Sequence, residues 1–209
     1  TSLLTSERVR QAFDVRKADA RTLARYGDNS FGWSLLMARR LVEAGVGVVA
    51  VRFSPDGRGD YDRTMIGWDD HAVHGNIFAI MRQRGPQFDQ SVSALIEDLE
   101  QRGMLKDTLV VWAGEFGRTP YAQSGDGRDH NNKGYSIWMA GGGVKGGLTY
   151  GATDETGYKA ALNPMHIHDW HATMLHLLGL DHTKLTFAYG GRNFRLTNVS
   201  GEVATPIIA

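Results

Sequence analysis

Apolar residues along the chain alternate between helical and strand-like spacing. Phe31, Leu35, Ala38 and Val42 recur at the helical period and predict a helix that Gly45 ends. The run 46–53 follows, with valine at 46, 48, 49 and 51, and predicts a buried strand. The same order returns downstream. Phe88, Val92, Leu95, Ile96 and Leu99 outline an amphipathic helix closed by Gly103, and 108–113 reads as the next strand. A third apolar run, 135–140, stops at the triple glycine 141–143, and Trp170, Met174, Leu177 and Leu178 stripe a last helix that Gly179 terminates. Upstream, 5–26 is polar and helix-permissive, with Thr5 or Ser6 as cap and Val9 and Phe13 as an i, i+4 pair, so 1–28 reads as a peripheral helical segment. Helices alternating with strands predict an α/β fold with a mostly parallel sheet covered on both faces. No repeat, low-complexity tract or linker divides the chain, so 1–209 is read as one domain.

Composition narrows the chemistry. A hydrophobic fraction of 42% over 209 residues suffices for a core. Lysine plus arginine and aspartate plus glutamate both number 23, so no net field draws the chain to nucleic acid or a lipid surface. No apolar run is long enough to span a bilayer. With no cysteine, disulfides, thiolate metal sites and a cysteine nucleophile are excluded, and any metal is held by oxygen and imidazole. Thr1 stands where an initiator methionine is absent, which fits a processed or trimmed chain.

In open α/β sheets ligands bind beyond the carboxyl ends of the strands, so the residues after each strand are the ones to inspect. After 46–53 comes a glycine- and aspartate-rich loop ending Gly67-Trp68-Asp69-Asp70-His71, with His74 beyond. After 108–113 comes Gly114-Glu115-Phe116-Gly117-Arg118-Thr119-Pro120, then Gly127-Arg128-Asp129-His130-Asn131. Asp69, His71, Glu115, Asp129 and His130 are the candidate ligands of a divalent ion such as zinc, manganese, magnesium or calcium. Each also has a plainer role open to it: a loop hydrogen bond for the Asp-His pairs, a turn cap for Glu115. Arg118 can aim a guanidinium at a tetraoxo anion, or bridge to Glu115. Arg128 reads as a solvated loop residue, and the glycines around Lys145 as a turn. His166, His168, His171 and His176 read as helix-start, surface or satisfied histidines, with His166 the exception to watch. Trp33, Trp112 and Trp138 read as core.

These three motifs resemble the signatures of the bacterial family called domain of unknown function 1501 (DUF1501). Residues 38–45, 141–151 and 177–179 extend the resemblance over nearly the whole chain. That family is similar to the alkaline phosphatase and sulfatase superfamily. The resemblance implies a three-layer α/β/α sandwich, a metal-dependent hydrolase of phosphate or sulfate esters, and a small-molecule or glycan ester as substrate. It also implies export to the periplasm or beyond. The superfamily's aspartate-histidine metal pair is replaced here by Glu115 and Phe116, while Asp70 and His74 fit its Asp-x-x-x-His spacing as a second choice to Asp69 and His71. The first strand, which delivers the nucleophile in the superfamily, has no counterpart in this sequence. The resemblance therefore implies the carboxyl-terminal part of a longer family member, inactive without the missing segment. A non-catalytic module holding a glycan or protein partner is the alternative reading.

Overall fold

Side-chain oxygens set the helix starts. In the computed structural model, which describes residues 6–53, 68, 70, 71 and 76–209, Ser6 accepts a hydrogen bond from the Val9 amide at 3.2 Å and opens α1 (Glu7–Phe13). Asp19 does the same for α2 (Ala20–Tyr26), Asn29 for α3 (Ser30–Glu43) and Asn76 for α4 (Ile77–Gln101). Each cap satisfies an amide that has no partner within its helix. Helix α3 stops where its periodicity predicts, with Gly45 at φ +98°, a left-handed geometry that side chains resist. Helix α4 exceeds the expected one, beginning at Ile77 and running through Pro86.

The chain forms two compact units, Thr1–Arg102 with Tyr121–Asp129, and Gly103–Pro120 with His130–Ala209. In the first, α3 packs against α1, α2 and α4, burying Val9, Ala12, Tyr26, Phe31, Leu35, Leu36, Ile80, Ala94, Leu95 and Leu99. An ionic centre joins three of these helices. The Asp98 carboxylate accepts from the Tyr26 hydroxyl at 2.8 Å, Arg39 Nε at 2.9 Å and Arg102 Nε at 2.7 Å. Gly85, in α4, directly precedes Pro86, whose ring disfavours helical backbone for a preceding residue that carries a Cβ, so Gly85→Ala is expected to give no rise in thermal midpoint.

The second unit holds short ribbons and one helix. Strand β1 (Val110–Trp112) pairs antiparallel with β4 (Trp138–Ala140), β5 (Ala152–Thr153) with β6 (Ala160–Leu162), and β7 (Thr186–Tyr189) with β8 (Arg192–Arg195). Helix α5 (Ile167–Leu177) is capped by His166 in a capping box with Asp169. A fourth two-stranded sheet, β2 (Gly117–Gln123) with β3 (Gly127–Asn131), has its base in this unit and its tip, Tyr121–Asp129, in the first.

This architecture corrects the expected three-layer sandwich: among the described residues all sheets are two-stranded, and no extended parallel sheet is formed. Residues 46–53 join no strand and leave Val48 80% exposed, and Trp112 and Trp138 stand opposite each other, 40% and 41% exposed, rather than in a core. The physical reason lies in the helices. The apolar stripes of α3 and α4 are buried against each other, so they do not require a sheet to cover. Among the described residues no helix is long and apolar enough to cross a membrane.

Candidate functional site

The start of α4 organises the first and third motifs. Asn76, its cap, donates from Nδ2 to the Asp126 carboxylate at 2.7 Å, and the Ile77 amide donates to the Asp126 carbonyl at 3.3 Å. The tip of the β2–β3 hairpin is thereby tied to the helix. Next along the hairpin, the Arg128 guanidinium lies 5.5 Å over the Phe78 ring, and the Arg128 amide donates to the Asp70 carbonyl at 2.9 Å. His71 follows Asp70 and Asp129 follows Arg128, so each of these candidate ligands is the next residue along the chain from one end of this backbone hydrogen bond. His71 is half-buried and Asp129 exposed.

The first motif is held from beneath by buried contacts. Arg84 Nη1 donates to both carboxylate oxygens of Asp70 at 2.8 Å, and the two residues are 1% and 3% exposed. Trp68 packs its ring 5.0 Å from Phe53 and 5.8 Å from Phe88, with the Arg84 guanidinium 5.9 Å from its centre. Phe31 completes the aromatic cluster, 4.7 Å from Phe53 and 6.1 Å from Phe88. Asp70, the second-choice ligand, is thus committed to a buried ion pair. Its companion His74, like the first-choice Asp69, lies outside the described residues.

In the second unit, Glu115 is exposed in the bend between β1 and β2. Beside it, the Phe116 ring lies 4.3 Å from His130, and the Arg118 guanidinium 5.7 Å from the Phe116 ring centre. Gly117 lets the turn pass close against another backbone segment, since a Cβ there would sit 2.6 Å from the Gly134 carbonyl oxygen. The motif ends are structural: Thr119 is buried, and buried Asn131 donates to the Tyr158 carbonyl at 2.7 Å and accepts from the Lys133 amide at 3.0 Å. His130 and Asp129 are consecutive on β3, where neighbouring side chains project to opposite faces.

The candidate residues therefore fall in two places: His71 and Asp129 each follow one end of the Arg128–Asp70 bond, and the Glu115–Arg118 turn has Phe116 against His130. Among the described residues, no set of three or more histidine, aspartate or glutamate side chains is arranged to hold a metal ion. By donor chemistry, carboxylate with imidazole fits a divalent cation. His166 and His182 have structural partners. His166 Nδ1 accepts from the His168 amide at 3.2 Å, and His182 is buried against the Thr197 hydroxyl at 2.9 Å. Lys145 ties its turn to the carboxyl-terminal residues, its amide donating to the Ile207 carbonyl and its ammonium to that of Pro206. Sequence reasoning missed Arg84, although a charged residue four positions after Ile80 on a buried helix face is a visible signal.

Helices packed on helices, short antiparallel ribbons and polar motifs clamped to a helix start define the class of protein. The chain belongs to the DUF1501 family, described as a protein of unknown function, whose model matches residues 2–208. No curated protein and no solved structure matches it.

Proposed function

We propose that this DUF1501 member is a metal-dependent hydrolase of phosphate or sulfate esters, akin to the alkaline phosphatase and sulfatase superfamily. The observation that supports this reading is the Arg128–Asp70 backbone hydrogen bond, which joins two motifs distant in sequence at the residues immediately preceding Asp129 and His71. Asp69, His71, Glu115, Asp129 and His130 are the candidate ligands; because Asp129 and His130 project to opposite faces of β3, Asp69, His71 and Asp129 form one candidate donor set and His130 with Glu115, as ligand or base, the other. A divalent ion, when bound, polarises the ester oxygen and lowers the pKa of a water. Arg118, with several N–H donors in one plane, pairs with the tetraoxo group and stabilises the charge that develops on it.

Elemental analysis of purified protein is expected to find a bound divalent metal that His71→Ala and His130→Ala deplete. Phosphate and sulfate monoester assays should show Arg118→Ala slowed by about 10²–10³-fold, the cost of one donor to a developing anion. A metal-free protein that turns over neither ester class defeats the reading.

A non-catalytic module for a glycan partner is the second reading. It draws on the cross-strand pair Trp112 and Trp138, whose partly exposed indoles share one face of the β1–β4 ribbon. Glycan binding that persists in chelator, without turnover, would favour it.

A further inference from the structure

We infer that Arg84 is a positioning residue that, through Asp70, sets the placement of His71 and Asp129; its bearing on ion binding rests on the function proposed above. Arg84 lies within the 25-residue helix α4, whose first turn also holds the hairpin tip through Asn76, Ile77 and Phe78. Its guanidinium meets Asp70 at 2.8 Å. The Asp70 carbonyl in turn receives the Arg128 amide at 2.9 Å. The connection runs from a rigid helix through one side-chain pair and one backbone bond to the two residues immediately preceding the candidate ligands.

Stability alone does not account for this pair. Both groups are almost wholly withdrawn from water, and Arg84 Nε has no hydrogen-bond partner. Desolvation of two charges with one donor unmet is the situation in which well-packed apolar residues serve stability as well or better. Nη1 held between both carboxylate oxygens does fix the direction of the carboxylate, and so the course of the chain through Asp70 to His71. Buried partners of this kind orient the residues that meet a metal.

The test replaces the pair as a unit, Asp70→Leu with Arg84→Met, in the full chain. Three readouts are compared with wild type: urea unfolding, exchange of the Arg128 amide, and calorimetric titration with Zn²⁺ alone. The unfolding midpoint is expected to stay at or above the wild-type value, because neither charge is left unpaired. The Arg128 amide is expected to exchange about tenfold faster or more, as the local opening it reports becomes easier. Zn²⁺ affinity is expected to fall about 10–100-fold. Wild-type exchange and wild-type Zn²⁺ affinity in a folded double variant would overturn the positioning role and leave the ion-binding proposal standing. Faster exchange in a protein whose wild type takes up no Zn²⁺ supports the positioning role and removes the ion-binding proposal instead. If the double variant does not fold, Arg84→Lys decides on the same readouts. Its ammonium keeps the charge on a more flexible stem that ends short of the Nη1 position, so movement of both supports the inference and movement of neither overturns it.

Discussion

Asp98→Ala lowers the unfolding free energy by about 3–5 kcal/mol, the usual cost of removing one partner from a buried charge pair, measured by urea denaturation followed by circular dichroism. The carboxylate is the shared acceptor of Tyr26, Arg39 and Arg102, which belong to α2, α3 and the residue closing α4. Alanine leaves the buried Arg39 guanidinium without that acceptor, and it leaves the fully buried Tyr26 hydroxyl without its bond. Glu43, which also pairs with Arg39 and Arg102, compensates only in part because it is more exposed.

The same centre sets the pH response. Burial pushes the Asp98 carboxyl up, but hydrogen bonds from Arg102 and Tyr26 and the charges of Arg39 and Arg102 outweigh it, holding the group below its ordinary range. A depressed carboxylate contributes stability that is complete above the unfolded value of about 3.9 and is lost as pH falls through the folded one. Asp98→Ala should therefore flatten the acid limb of the stability profile. Burial, then the bond to Asp98, pushes the Tyr26 hydroxyl well above its usual range. Its contribution is complete below the unfolded value of about 10 and is lost at higher pH. An acid limb identical in wild type and Asp98→Ala would contradict this assignment.

Gly141→Ala is expected to destabilise by about 2–5 kcal/mol, combining left-handed backbone strain with overpacking. Gly141 has φ +70°, and a Cβ there would lie 2.2 Å from the Leu105 carbonyl oxygen and 2.5 Å from that of Thr108. Both neighbours are backbone, in the turn that leads into β1, so neither yields by changing a rotamer. Gly147, at φ +70° with nothing near its Cβ position, provides the control. Gly147→Ala should cost only the conformational part, about 1–2 kcal/mol. Equal thermal midpoints for the two variants would show that the close approach at Gly141 is relieved at no cost.

What was legible in the sequence follows from how local each feature is. The Ser6 cap, the stop at Gly45, the helix through Leu95 and Leu99, and the helix ended by Gly179 all appear, because caps and periodicity act over a few residues. Strand partners are not local. The valines of 46–53 and the Val110–Trp112 run have the composition of buried strands, but composition cannot say whether a strand finds neighbours on both edges, and these residues form at most a two-stranded ribbon. The site divides in the same way. The sequence picked out the three motifs by residue type and, through the family resemblance, put Asp69 before Asp70, whereas it could not show that Asp70 is held by a buried arginine.

By itself, then, the order of residues determined several helix caps and stops, the exclusion of thiolate chemistry, and membership of a family recognised by its motifs. Tertiary structure alone decided that Asp70 faces Arg84, that the Arg128 amide bonds the Asp70 carbonyl, and that Phe116 meets His130. The reason is range. Capping and periodicity are satisfied within a turn or two of chain, but an ion pair, a ring contact or a ladder bond between distant residues exists only once packing has brought the segments to within a few ångströms.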